Sequence, residues 1–76
     1  MKKHLKRKKL REWRRAVCER AGWHCEVCGR YGDEQTLCGH HIKSQGAFPE
    51  LRFDVGNGIC VDVFCHNKIH TGEISL

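Results

Sequence analysis

The sequence predicts a small α+β fold in which a helix, a cysteine knuckle, two short strands around a long loop, and a closing helix follow one another along 76 residues. Three observations carry this reading. Apolar residues recur at helical spacing near the start of the chain, and short strand-like segments bounded by turn residues replace them in its second half. A Cys-x-x-Cys-Gly stretch, Cys25 to Gly29, separates the two regions. The chain is also near the lower limit at which an apolar core alone holds a fold, so a staple is expected.

Residues 1–8 read as a basic, flexible arm ahead of a single domain over 9–76. From about Lys9 to Ala21, Leu10, Trp13, Val17 and Ala21 recur at helical spacing with Arg14, Arg15, Glu19 and Arg20 between them, and Gly22 is the stop signal. In "HCEVCGRYGDEQ" the spacing of Cys25 and Cys28 lets two thiolates point at one ion while backbone N–H groups turn toward the sulfurs, and Gly29 relieves the turn. A redox pair would call for a βαβ context that this chain is too short to supply, which makes zinc the stronger reading. Thr36–Ile42 has strand character, Lys43–Asp54 is a loop with the chain's one proline, Pro49, and Gly56-Asn57-Gly58 is a turn before a second strand at Ile59–Phe64. A final helix is expected over Cys65–Thr71, ending at Gly72.

Composition narrows the class of protein. The chain has six cysteines, and its start, "MKKHLKRKKLREWRR", has no apolar signal segment. The expectation is therefore a cytoplasmic protein whose cysteines hold metal rather than form disulfides. No stretch approaches the roughly 18 apolar residues of a membrane span, so no membrane partner is expected. Nine Lys/Arg against Glu12 alone give residues 1–15 a charge of +8, which leaves −3 for the remainder of a chain whose net charge is +5. A concentrated basic arm on a mildly acidic body points to a polyanion, most often nucleic acid, with Lys6, Arg7, Lys8, Lys9, Arg11, Arg14 and Arg15 as candidate DNA contacts. The bland alternative is a solvated tail.

The ligand-type residues divide by geometry. Neighbours in a strand point to opposite faces, so His40 and His41 are expected to hold different jobs. His66 and His70 are four apart, which on a helix puts both imidazoles on one face as a pair for one ion. Cys65, about 100° of helical turn from His66, is expected to point back toward Cys25 and Cys28. Two sites follow. Cys25, Cys28, Cys65 and a fourth ligand form a closed tetrahedral site of the kind that structural zinc prefers. His40, His66 and His70 form a second site with open positions for a catalytic divalent ion, and His41 beside it is the candidate general base. Cys60 and Asp62 share a strand face, so either can complete the zinc site; thiolate is the softer and more usual partner, which favours Cys60. Cys18 and Cys38 read as small apolar residues, with a spare metal contact as the alternative for Cys38. His4 and His24 are assigned no role, and Arg52 reads equally as a phosphate contact or as an ion-pair partner of Glu50 or Asp54.

Together, "HCEVCG", "TLCGHHI", "FPELRFDVGNGI" and "CHNKIH" resemble the HNH endonucleases over about residues 10–71. A His-His pair, an Asn sixteen residues after the second His, a Cys-His whose His lies nine residues after that Asn, and a further His four on, all downstream of CxxCG, carry the resemblance. It implies a ββα-metal core in which His40 binds the catalytic ion, His41 is the general base, and Asn57 holds His41 in orientation across the loop. His66 and His70 would be the remaining ligands. The family's second CxxC is replaced here by Asp62-Val-Phe-Cys65, the source of the Cys60 or Asp62 ambiguity.

The function this implies is hydrolysis of DNA phosphodiester bonds, by nicking or double-strand cleavage, with Zn2+ as structural ion and Mg2+, Mn2+ or another divalent ion for catalysis. Products would carry a 5′-phosphate and a 3′-hydroxyl. By resemblance, such small proteins are often phage-borne or act as packaging or repair accessories; a monomer is expected, with room for a protein partner that supplies specificity. The competing reading is a zinc-stapled DNA-binding module without nuclease activity.

Overall fold

Residues 2–21 hold no glycine or proline and are rich in Lys, Arg, Leu and Glu; in the computed structural model they form one helix, α1 (Lys2–Ala21, 20 residues). The structure describes the backbone of residues 2–74 and the side chains of residues 6–74; Met1, at the tip of the expected arm, and Ser75 and Leu76, at the end of the expected domain, lie outside the described residues. The helix thus starts before the Lys9 expected from periodicity, and the segment read as a flexible arm forms its first two turns. Unbroken helix formers outweigh the mutual repulsion of the Lys/Arg run, even though the first turn has no acidic residue to offset the helix dipole. At the other end Gly22 takes φ +77°, its N–H reaches Glu19 O at 3.0 Å, and Trp23 N–H reaches Cys18 O at 2.9 Å. This paired closure is the Schellman pattern that a left-handed glycine permits.

After the knuckle, β1 (Leu37–His41) and β2 (Gly58–Asp62) pair antiparallel, with Leu37 opposite Asp62 and His41 opposite Gly58. The loop between them holds two short 3-10 turns, Pro49–Leu51 and Val55–Asn57, the second at the expected Gly-Asn-Gly turn. α2 (Val63–His70) begins where β2 stops, because Asp62 Oδ1 accepts the Cys65 N–H at 2.7 Å and caps the helix. That cap ends the strand two residues before the Phe64 expected from sequence. The described chain is a small α+β fold of two α-helices and one two-stranded sheet, in the order α1, β1, β2, α2.

The hairpin packs closely on α1. A Cβ added to Gly58 would lie 2.5 Å from Val17 Cγ2, and one added to Gly39 would lie 2.9 Å from Trp13 Cζ3, so two facing glycines let the indole rest on the sheet. The buried core is Trp13, Val17, Cys18, Cys25, Leu37, Cys60, Val61 and Cys65. Half of it is cysteine. No described helix is long and apolar enough to cross a membrane.

Candidate active site and metal centres

Cys25 and Cys28 sit on the turn after α1, Cys65 on the first turn of α2, and Asp62 at the end of β2; their ligand atoms all lie within 4.8 Å of one another. The knuckle is built as its spacing predicts: Cys28 N–H points at Cys25 Sγ (3.5 Å), and Gly29, at φ +82°, donates to Cys25 O at 2.8 Å. The Cys28 thiol donates to Asp62 Oδ2 at 3.0 Å. That bond, with the Cys65 N–H, holds the Asp62 carboxyl below its ordinary range. Burial, and then the neighbouring Cys25 and Cys28 thiols, push the Cys65 thiol up to about 12. Three thiols and a carboxylate this close cannot all ionise without a cation, and a tetrahedral divalent ion supplies one, so the donor set fits a structural metal.

Cys60 is not in this group. Its Sγ lies 3.1 Å from Cys18 Sγ in the core under α1, and burial pushes both thiols up. Cys60 and Asp62 do alternate onto one strand face, but Asp62 is the last strand residue, where the chain turns toward the knuckle. Cys60, two residues inside the strand, is covered by the helix. Its backbone is nonetheless tied to the knuckle: Glu26 N–H donates to Cys60 O and Cys60 N–H to Glu26 Oε2, both at 2.8 Å. Cys38 also stands apart, its thiol directed at Val61 O (3.4 Å).

The second cluster joins β1 to α2. His40, His66 and His70 bring one ring nitrogen each within 4.8 Å of the others, and His66 Nε2 lies 3.1 Å from His70 Nε2. Burial, and then the neighbouring imidazoles, hold His40 below the ordinary histidine range; burial and His70 do the same to His66. Both shifts favour the neutral ring, the form that binds metal.

His41 faces the other way, as strand alternation requires. Its ring stacks on Trp13 with centroids 4.0 Å apart and planes 4° from parallel, and its Nε2 lies 2.9 Å from Arg52 O. A carbonyl only accepts, so in the neutral ring Nε2 carries the proton and Nδ1 keeps the lone pair. The loop that presents this carbonyl is held by buried Asn57: Oδ1 accepts Lys43 N–H at 2.8 Å, while Nδ2 donates to Lys43 O at 3.0 Å and Leu51 O at 3.3 Å. Two anchors from α1 add to it, Trp13 Nε1 to Asp54 O (2.7 Å) and Arg20 to Val55 O and Gly58 O (2.8 and 2.7 Å). Sequence reasoning misses the part played by Trp13 and Arg20. The available signal is that a buried indole N–H must find an acceptor.

A cleft of about 820 Å³ is lined by His40, His41, His66 and His70 together with Arg7, Arg11 and Arg14 of α1. Of the other candidate DNA contacts, Lys9 lies over the Phe53 ring (5.7 Å to its centroid) and Arg15 pairs with Glu34 at 2.9 Å. Lys6 and Lys8 are exposed and do not line the cleft. Arg52 contributes its carbonyl rather than its charge, and among the described residues it forms no ion pair with Glu50 or Asp54. His24 lies beside Tyr31, with ring centroids 5.7 Å apart, and belongs to neither cluster. No family model, no curated protein and no solved structure matches this chain.

Proposed function

We propose that this protein is a metal-dependent endonuclease of the HNH type that hydrolyses phosphodiester bonds in DNA. The observation that carries the reading is the pairing of a three-imidazole cluster with one further histidine, His41, whose tautomer is set by a backbone carbonyl and whose plane is set by Trp13. A structural histidine needs neither a free Nδ1 nor a cleft lined with arginine.

The β1–β2–α2 order and the stapling of the loop by Asn57 support the same reading. His40, His66 and His70 would hold the catalytic ion. Three imidazoles without a carboxylate suit later first-row transition ions such as Ni2+ or Zn2+ better than Mg2+. A divalent ion bound there supplies Lewis-acid stabilisation of the charge that builds on the phosphate and on the leaving oxygen. His41 Nδ1 takes the proton of the attacking water, and Nε2–H stays on the Arg52 carbonyl, which stabilises the imidazolium that forms. The cleft arginines neutralise the substrate backbone. Cys25, Cys28, Cys65 and Asp62 would hold Zn2+ and fix the start of α2, and with it His66.

The test is nicking of supercoiled plasmid across a panel of divalent ions. His41→Ala is expected to lower the rate by about 10²–10⁴-fold, the usual weight of a general base, with DNA binding and zinc content unchanged. Wild-type protein that binds DNA but cleaves with none of the ions would be a binding module instead.

A further inference from the structure

Among residues 6–15 of α1, basic side chains are sorted by chemistry as well as by direction. Positions 7, 11 and 14 are one helical turn apart and share a face, and all three line the same cleft as the histidines; all three are arginine. The lysines of the same stretch, Lys6, Lys8 and Lys9, do not line it, and the remaining arginine, Arg15, is occupied by Glu34. Among the described residues no carboxylate pairs with Arg7, Arg11 or Arg14. Arginine's planar fork binds phosphate with two parallel hydrogen bonds, whereas lysine offers a point charge. From Arg7 to Arg14 the helix rises about 10 Å, a length over which three guanidinium groups can meet successive phosphates of one strand.

We propose that Arg7, Arg11 and Arg14 form a phosphate track that holds about three consecutive phosphates of one strand of duplex DNA against the histidine cluster. The first turns of α1 are thus one wall of the substrate site, and the outward lysines add only diffuse attraction. Ser44 and Gln45 line the same cleft from the loop after β1. The assignment of the strand to the histidine cluster rests on the nuclease reading; the track itself is tested without cleavage.

The experiment is a salt titration of affinity for a fluorescent DNA duplex by anisotropy, with zinc-loaded protein and no added catalytic ion. Two triple variants remove equal charge, Arg7→Ala/Arg11→Ala/Arg14→Ala and Lys6→Ala/Lys8→Ala/Lys9→Ala. The arginine triple is expected to bind at least tenfold more weakly than the lysine triple and to flatten the slope of log K against log salt by about 2.7, at roughly 0.9 for each phosphate no longer neutralised. A third variant, Arg7→Lys/Arg11→Lys/Arg14→Lys, keeps the charge; it is expected to retain most of the slope yet bind several-fold more weakly than wild type. Equal losses in the two alanine triples overturn the track, as does tighter binding of a matched RNA duplex than of DNA. If the plasmid assay shows no cleavage while the triples differ as expected, the nuclease reading fails and the track stands; cleavage with equal triples gives the reverse.

Discussion

Asp62 performs two tasks with two oxygens. Oδ1 caps α2 through the Cys65 N–H, and Oδ2 reaches Cys28 within the thiol cluster. Asp62→Ala is therefore expected to cost about 1 kcal/mol through the lost cap alone and to weaken zinc binding by more than the ~10–100-fold typical of altering an outer partner of a ligand. Cys60→Ala is expected to keep one zinc per chain, since its sulfur faces Cys18. Competition with a chromophoric chelator measures both, and the reverse ranking would restore Cys60 as the ligand. Asn57 is the other residue on which much depends: it joins the two ends of a loop whose Arg52 carbonyl holds His41. Asn57→Ala takes the acceptor from the part-buried Lys43 N–H, at about 0.5–1.5 kcal/mol for the lost bond. Nicking is expected to fall further than the lost stability explains, because His41 loses its anchor; denaturant midpoints beside single-turnover rates separate the two effects.

At the scale of elements, the fold depends on how closely α1 approaches the hairpin. Trp13 spans both, resting on Gly39 and Gly58, stacking on His41 and donating to Asp54 O. Gly58→Ala places a methyl 2.5 Å from Val17 Cγ2 and 2.7 Å from the indole. Buried side chains must move to admit it, at about 1–3 kcal/mol. A urea midpoint that does not move on this substitution would mean that α1 does not seat against the sheet as described. Trp13→Phe keeps an aromatic face for His41 but drops the indole N–H, and so separates stacking from loop anchoring in the same assays.

For the whole molecule, half of the buried core residues are cysteines, and Cys25 and Cys65 belong to the thiol cluster. So small a core is marginal by itself, and with structural zinc the ion and the fold should appear and disappear together. Chelation is expected to abolish the cooperative unfolding transition, and one equivalent of Zn2+ to restore it. A chelated protein that keeps its thermal transition would show that α1 and the hairpin hold without the staple.

Much of this is legible from the order of residues, because the signals concerned are local. The Leu10, Trp13, Val17, Ala21 stripe, the CxxCG turn and the period-two segments each depend on residues within a turn or a strand of one another; they place the end of α1, the knuckle and both strands within a few residues, but not the start of α1 at Lys2, where no apolar stripe marks the basic run. The i, i+4 spacing of His66 and His70 likewise sets their common face before any packing is known. The choice between Cys60 and Asp62 is of another kind. Alternation says that they share a face, but only the packing of α1 over the middle of β2, and the turn into α2 at its end, decides which one meets the knuckle. The same holds for the basic run. Its charge makes a polyanion the expectation from composition alone, whereas the docking of α1 beside β1 decides that Arg7, Arg11 and Arg14 line one cleft with the histidines. Local periodicity is written along the chain; which surface a side chain meets is settled only when distant segments pack.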